Sequence, residues 1–205
     1  PLMLFLLILG FIAALFLWLQ FRSKRMAIGR NAKLRGGKPV ERTLFNLQIG
    51  DVVQYQARDW ILETIYRYQQ DQFEWIEYLL RDNDDAAWLV VVEDDWLEVS
   101  WLTPVPEDQL RLGLPMPRVI DYEGISYLLK EKGTASYSTE GRVNNQKGVC
   151  SFFDYQTVQG YKLSFELYGS EEDGDLDVNV GKKIDSQDLS LLPGDGNSVY
   201  ANVSR

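Results

Sequence analysis

The sequence predicts an all-β domain, either a sandwich or a pair of small barrels, preceded by one N-terminal transmembrane helix. The chain opens with an apolar run of 18 residues that carries no charge. After residue 44, apolar and aromatic residues come in short bursts separated by Gly, Asp or Asn, which is the spacing of strands. Hydrophobic residues make up 45% of the chain and include six Trp, enough to build a packed core.

The apolar run Leu2–Leu19 is the first element, and we place the transmembrane helix at residues 1–21. At about 1.5 Å per residue, roughly 20 residues cross a hydrocarbon layer of about 30 Å. A signal peptide would end in a small-residue cleavage site, whereas the basic stretch Arg22–Arg25 follows here. The pattern therefore favours an uncleaved anchor.

Residues 22–43 form a basic juxtamembrane segment and linker. Eight basic side chains and one acidic side chain give residues 22–42 a net charge of +7. The positive-inside rule places this flank, and the domain after it, on the cytoplasmic side of the membrane. Such charges are attracted to lipid head groups by about 1 kcal/mol each, although topology alone would also select them. The predicted membrane-surface residues are Arg22, Lys24, Arg25 and Arg30.

Residues 44–205 form the acidic β-rich domain. Residues 43–205 contain 13 basic and 29 acidic side chains, a net charge of −16. The run Trp88–Val92 is apolar on both faces, which predicts a central strand covered on each side. The predicted strands are Asp51–Ala57, Trp60–Tyr68, Phe73–Arg81, Trp88–Glu93, Trp96–Leu102, Arg118–Tyr122, Ser126–Glu131, Thr134–Glu140, Val149–Tyr155, Tyr161–Tyr168 and Leu176–Val180.

The two halves of this domain, residues 44–103 and 118–192, resemble each other. An internal duplication into two five-strand units would explain the matches, with a slip in register at a hairpin around residues 134–148. Chance alignment of aromatic-rich β sequence is the alternative, and both stay open. At a constant offset of 77, Trp75 matches Phe152, Glu77 matches Asp154 and Tyr78 matches Tyr155.

The composition excludes several kinds of chemistry. The chain has no His and a single Cys, Cys150, so Ser-His-Asp and Cys-His catalysis and His/Cys metal sites are excluded. Cys150 lies beside two Phe residues and is predicted to be a buried structural thiol. No phosphate-binding loop pattern occurs. We expect no enzymatic activity and no cofactor, and the −16 charge of residues 43–205 argues against nucleic-acid binding.

Carboxylates are the remaining chemical resource. If they converged, they would suit a paired-carboxylate hydrolase or a Ca²⁺ site. Solvated hairpin tips that keep sheet edges from pairing are the favoured alternative. The run Glu171–Asp177 alternates oxygen ligands but lacks the Gly and the final Glu of an EF-hand loop. Two dense groups lie in predicted turns: Asp82, Asp84 and Asp85, and Glu93, Asp94 and Asp95.

Five Trp residues fall between positions 60 and 101, and most of them should be core. Trp96 differs because it follows Glu93–Asp95 at a predicted turn. An exposed Trp rimmed by acids is typical of an interface anchor, with core burial as the alternative. The predicted partner-binding residues are Trp96, Asp94 and Asp95.

Several of these segments together resemble DUF4178, a bacterial family of domains of unknown function. The resemblance covers roughly Leu44–Leu192 and rests on five segments: Leu47–Tyr55, Trp60, Trp75–Leu80, Trp88-Leu89 and Glu93–Trp96. It carries over no catalytic residue. Cyanobacterial members of the family are similar in having a membrane anchor ahead of the domain. The resemblance therefore implies a single-pass protein of the thylakoid membrane.

Two functional classes follow from these observations. The favoured class is a non-catalytic accessory or assembly factor that binds an integral membrane-protein complex beside its anchor. The implied lineage makes a photosynthetic complex, photosystem II first, the expected client. The alternative is a small-ligand or lipid-binding β module, or a carboxylate-dependent enzyme, with its site inside the sheets. A hollow barrel lined with Asp and Glu would favour the alternative, and a filled core with an exposed apolar patch would favour the first class.

Overall fold

The computed structural model describes residues 41–106, 109–110, 115–141, 145–169 and 174–194. These residues form eleven strands and one short 3₁₀ helix, Ser186–Asp188. The prediction of an all-β domain is confirmed. The predicted transmembrane helix at residues 1–21 and the membrane-surface residues Arg22, Lys24, Arg25 and Arg30 lie outside the described residues. Over the described ranges, the structure has no helix of the length and hydrophobicity needed to cross a membrane.

The described strands pair antiparallel throughout and form one sheet that closes on itself. The first half of the domain contributes β1 (Val52–Tyr55), β2 (Arg58–Gln70), β3 (Phe73–Asp82), β4 (Asp85–Glu93) and β5 (Leu97–Pro104). The second half contributes β6 (Val119–Tyr122), β7 (Ile125–Gly141), β8 (Lys147–Gln156), β9 (Tyr161–Tyr168) and β10 (Asp175–Ile184), followed by β11 (Ser190–Leu192).

Two pairings join the halves: β5 with β10, and the second part of β2 with the second part of β7. They close a ring in the order β2-β3-β4-β5-β10-β9-β8-β7. Outside the ring, β1 and β11 continue the sheet from the first part of β2, and β6 continues it from the first part of β7. The strands therefore form one ring-closed sheet, where the sequence predicted a sandwich or two small barrels.

The strand predictions miss in two places. Ser126–Glu131 and Thr134–Glu140 were predicted as separate strands, but they are parts of the single strand β7. The break was predicted at Gly133, which in fact stays paired opposite Phe152. A Cβ at Gly133 would lie 2.8 Å from the Phe152 ring, so a glycine lets the strand continue past it. The short strand β11 was not predicted.

Each half has its own apolar cluster on one face of the sheet. Side chains alternate along a strand, so Tyr78 and Leu80 of β3 join the cluster of the first half. Tyr155 and Phe165 belong to the corresponding cluster of the second half. The opposite face, which looks into the ring, carries two smaller apolar clusters, one with Tyr68 and Phe152 and one with Trp88 and Val90, and polar side chains lie beside them.

Two tyrosines hold the segment that leads into each half. The hydroxyl of Tyr78 donates a 2.6 Å hydrogen bond to the carbonyl oxygen of Leu44, ahead of β1. The hydroxyl of Tyr155 donates one of 2.6 Å to the carbonyl oxygen of Pro117, ahead of β6. This arrangement is the one that duplicated halves would give, and the duplication itself stays a prediction.

Candidate functional site

Side chains meet across the inside of the ring. The rings of Trp75 on β3 and Phe152 on β8 lie edge to face, with their centroids 5.5 Å apart. On the neighbouring strands, Lys162 Nζ of β9 lies 2.6 Å from a carboxylate oxygen of Glu98 on β5. These contacts join strands from the two halves of the domain. Both halves therefore contribute aromatic and charged side chains to the interior of the ring.

A cavity of about 460 Å³ opens at one end of the ring. Its lining includes Gln70 and Phe73 at the β2–β3 turn, and Asp94 and Trp96 at the β4–β5 turn, which places the mouth at the end where these two hairpins reverse. Further lining residues come from β3, β4, β5, β7, β8, β9 and β10. They are Trp75, Glu77, Val90, Val92, Glu98, Leu102, Lys130, Glu131, Phe152, Asp154, Tyr155, Gln156, Lys162, Ser164 and Lys183.

Glu77 is the most deeply buried acid of the cavity wall, with 7% of its surface exposed. Its position on β3 is two residues after Trp75, and strand alternation therefore turns both side chains to the ring interior. The indole Nε1 of Trp75 donates a 3.0 Å hydrogen bond to Glu77 Oε1. Burial raises the pKa of Glu77 well above its usual value, and the nearby carboxyls of Glu166 and Asp154 raise it further.

Asp154 occupies the corresponding place on β8, two residues after Phe152. Its Oδ1 accepts a 2.6 Å hydrogen bond from the hydroxyl of Ser164. Burial raises the pKa of Asp154, while the Ser164 hydrogen bond and the charge of Lys162 oppose that rise. An aromatic residue and an acid from each half thus line the same cavity.

Glu166 on β9 is a third buried acid inside the ring, with 4% exposure. One of its oxygens accepts hydrogen bonds from the hydroxyls of Tyr68 at 3.1 Å and Tyr168 at 2.5 Å. Burial raises the pKa of Glu166 to about 7, although these hydrogen bonds lower it. Its charge is among the causes that raise the pKa of Glu77.

Glu98 on the cavity wall differs because it has basic partners. Lys162 approaches one of its oxygens and Lys183 the other. Burial disfavours its charge, but the hydrogen bonds from the two lysines outweigh burial and lower the pKa of Glu98. The three side chains form a compact ionic group on the cavity wall.

The predicted partner-binding residues lie at the mouth of this cavity. Trp96 is 71% exposed. Asp94 is exposed and lines the mouth together with Trp96, and Asp95 is exposed in the same turn. The structure therefore places the three residues together on the surface of the β4–β5 hairpin.

The other predicted acidic group does not join the cavity. Asp82 and Asp85 both pair with Arg58 at the β3–β4 turn, at 2.7 and 2.6 Å. Within the ranges that the structure covers, no three His, Cys, Asp or Glu side chains are placed to hold a metal ion. Residues 171–173 of the predicted alternating run lie outside the described residues. Cys150 is buried, and burial raises the pKa of its thiol.

Sequence reasoning did not identify Glu77, Asp154, Glu166 or Lys162 as site residues. A signal was present, because the pattern aromatic-x-acid-Tyr occurs at residues 75–78 and again at 152–155. We interpreted it as a trace of duplication. The acids meet only because β2 pairs with β7 and β5 pairs with β10, and those long-range pairings are not visible in the local sequence.

A second cleft, of about 470 Å³, lies between the β1–β2 and β6–β7 turns. Trp60, Trp101 and Tyr127 line it, and the guanidinium of Arg58 covers the Trp60 ring at 4.4 Å. The one carboxylate in its lining, Glu123, is exposed. Because buried charged groups converge in the first cavity, that cavity is the candidate site.

Comparison with known proteins gives a family and no function. Residues 48–186 match the family model described as "Domain of unknown function (DUF4178)". Neither a curated protein nor a solved structure matches the chain. Because the family match spans more than half of the 205 residues, and includes both aromatic-x-acid-Tyr segments, the chain belongs to the DUF4178 family.

Proposed function

We propose that the β domain is a non-catalytic binding module that holds a small organic molecule in the cavity at the mouth of the ring. The observation that carries this proposal is the cavity itself. Its volume of about 460 Å³ falls within the roughly 300–1,000 Å³ that is usual for small-molecule sites. Apolar and aromatic walls with a few converging polar groups are also typical of such sites.

The acids inside the ring support the same proposal. Burying a carboxyl group costs free energy unless a partner compensates it. Burial is the largest cause of the raised pKa values of Glu77, Asp154 and Glu166. Acids perturbed in this way within a cleft are typical of functional sites. A cavity with Asp and Glu in its lining favours the ligand-binding alternative, even though apolar clusters fill other parts of the ring interior.

We propose binding without catalysis because the cavity offers neither a histidine nor a thiolate to start a reaction. The sequence has no His. Its Cys150 is buried with a raised pKa, so the thiolate that would act as a nucleophile is disfavoured. The wall instead offers hydrogen-bonding carboxyls, a serine hydroxyl and aromatic rings, which are recognition groups.

A fragment screen on the full chain tests this proposal. Small organic molecules should raise the melting temperature and show ligand-observed NMR contacts. Val92→Trp and Gln156→Trp each place an indole in the cavity lining and should abolish these signals. Val158→Trp is the matched control, because Val158 is 97% exposed on the β8–β9 turn. The proposal fails if no fragment binds, or if both cavity variants remain folded and bind as the parent does.

A protein-binding role is a second candidate, and the exposure of Trp96 favours it. Leu97 beside it is also exposed, so the β4–β5 hairpin presents an apolar tip rimmed by Asp94 and Asp95. In this proposal the chain is a single-pass membrane protein with its domain on the cytoplasmic side of a thylakoid membrane. The hairpin would bind an integral membrane complex, with photosystem II as the first candidate. The basic juxtamembrane segment would contact lipid head groups. Co-purification from solubilised native membranes, with and without Trp96→Ala, tests it.

A further inference from the structure

We propose that the ligand of the cavity is an organic cation, an ammonium group on an apolar body, with Glu77 and Asp154 meeting its charge. This inference rests on the proposed function of the cavity as a small-molecule site. It goes further by naming the chemical class of the ligand. Four features of the cavity carry it.

The first feature is an oxygen without a donor. Oε1 of Glu77 accepts the hydrogen bond from Trp75, but none of the described residues donates to Oε2 or places a basic nitrogen within 4.0 Å of the carboxylate. The side chain is nevertheless more than nine-tenths buried and lines the cavity. Oε2 is not among the fully buried atoms that lack a partner, so it is accessible from the cavity, where a ligand N–H could donate to it.

The second feature is the matching acid on the opposite wall. Asp154 receives the Ser164 hydroxyl on Oδ1, while Oδ2 accepts nothing from the described part of the chain. Neither carboxyl forms an ion pair within 4.0 Å in the described residues, although the charge of Lys162 acts on both, and the two carboxyls line the same cavity. A single positive charge between them would be attracted to both, and a ligand carboxylate would be repelled by both.

The third feature is the state of the lysines on the wall. Lys162 and Lys183 are both engaged by Glu98, so they already have a counter-charge. The lining as a whole contains five acids and three lysines, a formal balance of −2. When all five acids are ionised, the cavity therefore keeps an excess of negative charge after its internal ion pairs are formed, and a bound cation would favour the ionised form of Glu77.

The fourth feature is the aromatic wall. Trp75 is fixed by stacking on Tyr68 at 4.9 Å between centroids, and Phe152 packs against its edge. Phe73 and Trp96 add further rings toward the mouth. Aromatic faces attract organic cations by about 0.5–2 kcal/mol. Rings also bury an apolar body, which a bare metal ion does not have.

Three compounds of nearly equal shape test the charge of the ligand: benzylamine, benzyl alcohol and benzoate. Each is titrated into the full chain while tryptophan fluorescence and saturation-transfer NMR are followed. Benzylamine should bind at least about tenfold more tightly than the alcohol, because a charge pair in a buried site is worth more than about 1.4 kcal/mol. Benzoate should bind weakest of the three.

Two glutamate variants on the same strand provide the control. Glu77→Gln keeps an acceptor for Trp75 but removes the charge, and it should reduce the affinity for benzylamine to that for benzyl alcohol. Glu74→Gln removes an exposed charge on the opposite face of β3. It should change neither the affinity for benzylamine nor that for benzyl alcohol. A melting curve for each variant verifies that it is folded.

The outcomes separate this inference from the proposed function. If the alcohol or benzoate binds as well as the amine and Glu77→Gln changes nothing, the cavity binds small molecules but does not select a cation, and the inference is wrong. If none of the three binds and the wider fragment screen also finds no ligand, the proposed function itself fails.

Discussion

The indole Nε1 of Trp75 donates a 3.0 Å hydrogen bond to the carboxylate of Glu77, two residues further along the same strand. The bond fixes an acid against an aromatic wall inside the ring. The other carboxylate oxygen accepts no hydrogen bond from the described residues, and Glu77 lines the cavity. Phe152 and Asp154 occupy the corresponding positions on β8 and line the same cavity, but Phe152 has no donor, so Asp154 takes its hydrogen bond from Ser164.

Replacing Glu77 by Gln should make stability less dependent on pH. The folded chain raises the pKa of Glu77 above the ordinary value of 4.5, because of burial and the charges of Glu166 and Asp154, with Lys162 opposing. An acid whose pKa is higher in the folded state than in the unfolded state contributes stability to the fold. That contribution is complete below the unfolded-state pKa and is lost as pH rises through the folded-state pKa. Between about pH 5 and pH 8, the parent should lose on the order of 1–3 kcal/mol more stability than Glu77→Gln. Urea unfolding at both pH values measures this difference.

Glu74→Gln is the control for that experiment, since Glu74 is exposed and should leave the pH dependence unchanged. A Glu77→Gln protein that is clearly less stable than the parent at the higher pH would contradict the account. Such a result would mean that the ionised Glu77 stabilises the fold through a partner.

Replacing Tyr168 by Phe should destabilise the protein more at high pH than at low pH. Its hydroxyl donates to Glu166 and thereby lowers the pKa of that acid, which burial holds at about 7. Without this donor, the ionised carboxylate of Glu166 loses a hydrogen bond. The free energy of unfolding should therefore fall by about 1–3 kcal/mol above neutral pH. Denaturant titrations on both sides of neutrality measure the effect. Tyr161→Phe, at an exposed position, should show no such pH-dependent loss, and an equal loss at both pH values would contradict the assignment.

Two tryptophans that are eight positions apart should respond in opposite ways to truncation. Trp96 is 71% exposed and Trp88 is 6% exposed. Trp96→Ala should change the free energy of unfolding by less than about 0.5 kcal/mol. Trp88→Ala should cost about 3–5 kcal/mol because it opens a hole in a packed cluster. Thermal melts of both variants decide the matter, and a large drop for Trp96→Ala would show that its side chain is buried.

The second candidate function predicts that the anchor and the domain share the work of partner binding. Confinement to one membrane raises the effective concentration of two partners, so a fragment of residues 43–205 should fold yet fail to co-purify with a complex that the full chain retains. Trp96→Ala in the full chain should weaken that association. Equal retention of the fragment and the full chain would remove the role given to the anchor.

The sequence predicted the strands better than it predicted their closure. Strands such as Phe73–Arg81 and Tyr161–Tyr168 were recognised because their aromatic and β-branched residues are bounded by turn residues. β7 was divided at Gly133 because glycine usually interrupts a strand, whereas here it makes room for Phe152. The closure of the ring depends on long-range pairings such as that of Thr64 with Gly141, which no local sequence pattern predicts.

The candidate site was predicted only in outline. The acidic turn suggested an exposed Trp96, with core burial as the alternative, and its place at the mouth of a cavity followed only from the structure. Glu77 was matched to Asp154, but a repeat match gives no distance between the two copies. Both acids line one cavity because the ring closes, and the edge-to-face contact of Trp75 with Phe152 is another result of that closure.

The indole N–H signal of Trp75 gives the most direct test of the cavity as a binding site. The chain has six tryptophans, which Trp→Phe variants can assign one by one in a ¹⁵N-labelled sample. The account predicts that benzylamine, or the best fragment from the screen, shifts the signals of Trp75 and Trp96, which line the cavity, and leaves Trp60 of the first apolar cluster unchanged. The shift of Trp75 should disappear in Val92→Trp. Ligands that shift Trp60 without shifting Trp75, or a Trp75 signal that no ligand moves, would contradict it.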